Sequence, residues 1–294
     1  MFDPRPNLTP LQGKIYIHAG CPTSGRLSTL DSFDLTTKAW VSLAPAPPPE
    51  RGGTVLALVN NLKGLEGSAI LRFGGQPYHI PIPSVRLTAF HFTFHPGFAG
   101  YELPLDNALD IYSTVSNTWR TVVPSPDSTY GHPGPRSVHG FVPFSSPSPA
   151  LKDAVALLYH GEKDASKLGH AGAGVFWDDV WLLLSTPTAS GANAFGGFAW
   201  KKVDVLGNAE EKPEGRGWFA SACLIDSDGT TKAIMFGGLL HNNERSEEGW
   251  VLEIESKSEL MSCRQFLRIT VHLTHRTAQM TPTDDAKTTG DDDE

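Results

Sequence analysis

Long apolar runs are missing from this chain. None of its 294 residues belongs to a stretch near the roughly 18 apolar positions that a membrane-crossing helix needs. No membrane partner is expected. Cysteine is scarce: Cys21, Cys223 and Cys263 are odd in number and scattered. Such a set makes neither a disulfide framework nor a zinc knuckle, and it suits a reducing, cytoplasmic or nuclear home. A surplus of positive charge is also lacking. The formal net charge is −8, so a nucleic-acid phosphate partner is not expected. The opening MFDPRPNLTP has no basic start followed by an apolar stretch, so no secretory leader is expected there.

Turn-forming residues are abundant. Gly 29 and Pro 23 favour many short strands over helices. Apolar residues at 39% are enough to build a core. The length allows one large domain or two ordinary ones.

Internal repetition is the strongest signal. Four apolar runs end in small residues: Ile15–Gly20, Ala69–Gly75, Val155–Gly161 and Ala233–Gly238. Each reads as a buried strand stopped by a glycine turn. Downstream of each comes an aromatic in a second strand: Phe33, Tyr112, Trp181 and Trp250. A tryptophan follows seven positions later in the first two copies, at Trp40 and Trp119. In the third copy the insertion STPTASGANAFGG delays it to Trp200, and in the fourth Lys257 stands there. Upstream of each glycine turn an arginine follows a Pro-containing turn: Arg5, Arg51, Arg136 and Arg216.

This order of arginine, strand, glycine turn, aromatic and tryptophan resembles the kelch repeat, over residues 4 to 256. The resemblance implies an all-β, kelch-type β-propeller with four recognisable four-stranded blades, incomplete or with a partial extra blade. Its aromatics would fill the wedges between neighbouring blades. A β-sandwich with accidental glycine turns is the alternative. The propeller is expected over 1–257, with a divergent tail over 258–294. Within that tail FLRITVHL reads as one strand, and the last, acidic part reads as disordered.

Two long loops and one set of charges are candidates for function. The loop 76–107 carries His79, His91 and His95 among aromatics, as a packed flap or a ligand-bearing insertion. The loop 161–179 holds Glu162, Asp164 and His170 with four glycines. Two carboxylates and an imidazole suit Fe(II) or another divalent metal; a solvated polar turn is the alternative. Arg5, Arg51, Arg136 and Arg216 would ring a channel mouth. They suit a small anionic molecule or an acidic peptide of a protein partner, or else pair with groups of the adjacent blade.

The segment GEKDASKLGHAGAGVFWDDVW also resembles the corresponding loop of the nitrile-specifier and thiocyanate-forming proteins, kelch proteins that direct glucosinolate-aglucone breakdown. The resemblance implies ferrous iron held by Glu, Asp and His at successive four-residue steps. Glu162 and His170 take the first and third places; Ser166 takes the second, with Asp164 two residues earlier. Two functions follow as expectations: a scaffold binding a partner or small anion at the rim, or an iron-dependent specifier-like lyase or isomerase acting on a sulfated thiohydroximate-type compound.

Overall fold

The computed structural model describes residues 7–11, 13–20, 22, 25–60, 62–77, 107–166, 172–186, 197–205, 212–257 and 268–276. These residues form strands and turns, with no α-helix among them. Arg5, His79, His91, His95 and His170 lie outside the described residues, as does the acidic end 277–294.

The first sheet is a meander of β1 (Asn7–Leu11), β2 (Lys14–His18), β3 (Leu30–Asp34) and β4 (Trp40–Ser42). A short ribbon pairs β5 (Arg51–Gly52) with β8 (Gln76–Pro77). Between them in sequence, β6 (Val55–Asn60) and β7 (Ser68–Phe73) start the second sheet, which β9 (Leu109–Ser113) and β10 (Thr118–Val122) complete. The third sheet is β11 (Gly140–Pro143), β12 (Ala154–Tyr159), β15 (Val180–Thr186) and β16 (Gly197–Val205). A second ribbon pairs β13 (Glu162–Asp164) with β14 (Val175–Phe176), and a third pairs β17 (Arg216–Gly217) with β20 (Leu239–Leu240). The fourth sheet is β18 (Ala220–Ile225), β19 (Thr231–Phe236), β21 (Gly249–Lys257) and β22 (Arg268–Arg276). All pairings within the four sheets are antiparallel. A parallel contact of Asp204 with Thr270 and Val205 with Val271 then joins the outer strands of the third and fourth sheets. The protein is therefore all-β and built of antiparallel four-stranded sheets, a design compatible with a propeller.

The four glycine-ended runs of the sequence are the second strands β2, β7, β12 and β19. Their burial explains their composition. β7 and β12 carry almost unbroken apolar runs because sheets cover both of their faces. β2 is covered on one face, so its burial alternates: Tyr16 is buried while Ile15 and Ile17 are half-buried.

The sheets stack in chain order through their first strands, β1 on β6, β6 on β11 and β11 on β18. Each has a front, toward the next sheet, and a back, toward the previous one. Tyr16 and Leu30 from the front of the first meet Leu56, Ile70 and Tyr112 of the second. Leu71 and Phe73 from the front of the second meet Leu158, Trp181 and Trp200 of the third. Leu157 and Tyr159 from the front of the third meet Met235, Trp250 and Leu252 of the fourth.

The ladders also fix which residues are equivalent. His18, Phe73, Tyr159 and Phe236 stand opposite Leu30, Leu109, Val180 and Gly249. On that register Phe33 and Tyr112 match Leu183 and Leu252. Trp181 and Trp250 lie two residues earlier, matching Asp31 and Asp110. The four aromatics thus share a strand and a face but not one position. Two steps along a strand return to the same face, so either position fills the same gap between sheets.

Candidate functional site

At one end of the stack each second strand runs into a glycine turn and meets the arginine ribbon. Arg51, Arg136 and Arg216 occupy equivalent places there. Each donates from Nη1 to the carbonyl that follows its second strand: Gly74 at 3.4 Å, His160 at 2.9 Å and Gly237 at 3.3 Å. In the third sheet the Asp179 carboxylate accepts from Arg136 Nη1 at 2.8 Å and Nη2 at 3.2 Å, and from the Trp181 indole N–H at 2.7 Å. Arg136 also donates to the Pro133 carbonyl. In the fourth sheet Glu248 does the same, accepting from Arg216 Nη2 at 2.9 Å and from the Trp250 indole N–H at 3.1 Å. The arginine side chains are 0% and 1% exposed in these two ion pairs, and Arg51 is buried as well. Three of the four predicted arginines are therefore equivalent, and each binds the turn of its own sheet; Arg5 is outside the described residues.

Main-chain bonds tie these turns together across sheets. Gly75 N–H donates to the Arg136 carbonyl, and Gly161 N–H to the Arg216 carbonyl, both at 2.9 Å. Two residues beyond the arginines stand Gly53, Val138 and Trp218, all in the left-handed region at φ 65°, 48° and 62°. Val138 N–H donates to the Gly53 carbonyl at 2.8 Å, and Trp218 N–H to the Val138 carbonyl at 3.1 Å. The three positions form a chain of bonds around this end of the molecule. Left-handed geometry costs a non-glycine residue energy, so its recurrence at equivalent places marks a constrained structure. Trp218 is exposed on it.

The next equivalent positions, Thr54, His139 and Phe219, are where side chains turn inward. His139 is buried against Phe73 and Phe141, with neither ring nitrogen hydrogen-bonded to any described residue. Burial, then the nearby Arg136 charge, holds it well below the usual histidine range. His160 is also buried, and burial first, then Arg216, lowers it to about 3. It lines a cleft of about 390 Å³ between the third and fourth sheets, with Asp178, Lys212 and Glu214. Both imidazoles are neutral near pH 7.

The predicted metal residues are placed as follows. Glu162 is buried on β13, with its backbone bonded both ways to Ser137 at 2.8 and 3.0 Å. The Ser137 hydroxyl donates to Glu162 Oε2 at 3.5 Å. Asp164 is exposed on the same strand, beyond an irregularity in the β13–β14 register. His170 is outside the described residues. Among the described residues no three His, Cys, Asp or Glu come together as a metal group.

Beside this ribbon lies a feature that pattern reading passed over. The Trp177 ring has two cations over it, Lys163 Nζ 4.7 Å from its centroid and Arg136 Cζ at 5.1 Å. Its indole N–H donates to the Pro135 carbonyl at 3.1 Å. Gly134 permits this contact, since a Cβ there would lie 2.8 Å from the ring. Spacing alone does not single out Trp177, because its partners come from two separate segments, Lys163 from β13 and Arg136 from the stretch ahead of β11. No helix among the described residues is long and apolar enough to cross a membrane. No family model matches the chain.

Proposed function

We propose that the chain is a kelch-type propeller scaffold of the specifier-protein kind, and that its glycine-turn end docks a protein partner. One observation carries the choice of partner over small anion: the guanidinium groups of Arg136 and Arg216 are buried and already bound to carboxylates and carbonyls. A small anion would have to displace Asp179 or Glu248 from them, at the cost of a buried ion pair. What this end offers outward is the exposed Trp218 ring on the bonded chain of turns, with the half-buried Trp177 and the cationic Lys163 beside it on the neighbouring ribbon. Rigid aromatics of this kind are frequent anchors of protein interfaces. A photo-crosslinker at position 218 of the full chain, in its native extract, should trap a discrete protein. The same label at Val115, in the turn at the opposite end of the second sheet, should not. Equal labelling from both positions would refute the assignment.

The iron-dependent reading is supported by one feature, the buried Glu162 carboxylate at the head of the loop 161–179. The described residues contribute only Glu162 and the exposed Asp164 to such a set, so no catalytic step is derived through a metal. Metal analysis of the full chain separates the readings. Substoichiometric iron, and a melting temperature unmoved by a chelator, are expected for the scaffold. Stoichiometric iron lost in the Glu162→Ala, His170→Ala double variant would favour the lyase.

A further inference from the structure

The packing between sheets repeats along the stack, and among the described residues its two halves are both left exposed at the ends of the stack. On the front of each sheet the last residue of the second strand points forward: His18, Phe73, Tyr159, Phe236. The first three are buried by the following sheet. On the back of a sheet the matching element is the tryptophan opposite Phe33, Tyr112 or Leu183: Trp40, Trp119, Trp200. These halves meet directly. His18 lies 6.0 Å from Trp119, and Phe73 lies 5.2 Å from Trp200, edge on.

Phe236 and Trp40 are the members of this series left over. Phe236 ends the front of the fourth sheet and is 53% exposed, while Trp40 stands on the back of the first and is 58% exposed. Their surroundings repeat the buried interfaces. Half-buried Ile234 and exposed Leu224, Ala220 and Ala222 accompany Phe236. Half-buried Ile15, Ile17 and Phe33 accompany Trp40, with the Phe33 ring 4.9 Å away. The Phe236 face is apolar at its glycine-turn end and carries the Lys232 ion pairs with Asp226 and Glu253 farther along it. Exposed apolar surface of this kind marks an interaction face. Its chemistry is that of the aromatic-on-tryptophan contact already formed twice within the chain.

We propose that a second copy of this chain covers both faces at once. The front of the fourth sheet of each copy seats on the back of the first sheet of the other, placing Phe236 against the partner's Trp40. Such a contact is head-to-tail, and two copies close it into a cyclic pair in which the same interface occurs twice. Each chain brings four sheets, so the closed pair holds eight, within the range that radially packed sheets adopt. The inference rests on the packing of the sheets and not on the function proposed above.

Sedimentation equilibrium of the full chain tests it. The expected mass is twice the 31.8 kDa of one chain. Phe236→Glu and Trp40→Glu should each weaken pairing at least tenfold, with circular dichroism and melting temperature of the separated chain unchanged, because both positions are half exposed. An equimolar mixture of the two variants should pair more tightly than either alone. In the mixed pair, one interface joins two damaged faces and the other joins two unaltered ones. A wild-type chain that stays single overturns the proposal, as does a pair indifferent to either substitution. Assemblies that grow past two copies with concentration overturn the closed pair. A pair that responds to Phe236→Glu but not to Trp40→Glu is front-to-front, and also overturns it.

Discussion

The second and third sheets solve the same packing problem with opposite chemistry. At one cross-strand pair on the back of the sheet, the third sheet places Leu158 opposite Trp181, and the second places Arg72 opposite Asp110. Arg72 donates to Asp110 Oδ2 from Nε at 2.9 Å and Nη2 at 2.7 Å, and Nη2 reaches the Pro47 carbonyl at 2.9 Å. Thr121 Oγ1 donates to the other carboxylate oxygen at 2.6 Å. The Arg72 guanidinium also lies over the Trp119 ring, 5.7 Å from its centroid. The position therefore demands filled volume and satisfied polar atoms, not a particular residue type. In the third sheet the carboxylate has moved to Asp179, the residue before β15, where it serves Arg136 and the Trp181 indole together. The equivalent residue of the second sheet is Ala108.

The largest test breaks the polar solution. Asp110→Ala leaves the Arg72 cation buried with its carboxylate gone, and should cost about 3–5 kcal/mol in urea unfolding. The double change Arg72→Leu, Asp110→Leu imitates the third sheet and should recover most of that loss. Failure of the double variant to recover would show that the second sheet needs the ion pair itself.

The arginine turns sharpen the comparison next. Arg136→Ala strands a buried Asp179 and should cost about 3 kcal/mol or more. Arg216→Ala should cost less, about 1–2 kcal/mol, because Glu248 is 43% exposed and water takes over part of the arginine's role. Equal losses by thermal melting would contradict that difference.

Acid should act unevenly as well. His18 is lowered to about 4, mainly by burial, and joins His139 and His160 as a buried neutral imidazole. A folded-state value below the unfolded one means that the unfolded chain binds protons first. Stability is therefore full above about pH 6.5 and falls as pH drops toward about 4, by up to about 1.4 kcal/mol per unit and imidazole. His139→Phe copies the Phe219 of the fourth sheet and should flatten this slope by one proton. An unchanged slope in melts from pH 7 to pH 4 would show that His139 is not buried neutral.

The smallest effect is at Tyr159, whose hydroxyl shares a 2.6 Å hydrogen bond with Ser221 Oγ across the third-to-fourth contact. Tyr159→Phe should cost about 1 kcal/mol. The ring itself sits over Gly140, where a Cβ would lie 2.2 Å from it. Gly140→Ala should therefore be the more damaging of the two.

How much of this was legible in the sequence varies by feature. The second strands were readable, because an apolar run ending in glycine has few other readings. Arg51, Arg136 and Arg216 were readable as equivalent, since each follows proline and precedes a strand at similar spacing. Their task was not, because Asp179 and Glu248 approach from just ahead of strands, 43 and 32 residues away in the chain. The alignment of Trp181 with Phe33 was misread by two positions, since strands repeat every two residues and pattern alone does not tell one from the next. FLRITVHL was legible as a strand, and its place beside β21 and β16 was not. Of the metal candidates, the sequence showed nothing of the contrast between buried Glu162 and exposed Asp164.

The sequence by itself determined that this chain makes short strands and glycine turns in four repeats. Those choices rest on local backbone preferences and on apolar runs. Only the tertiary structure decided which face of each sheet is front, which carboxylate answers which arginine, and which two apolar faces are left without a sheet. Those choices depend on side chains far apart in the chain meeting at van der Waals and hydrogen-bond distance, and no local pattern encodes that meeting.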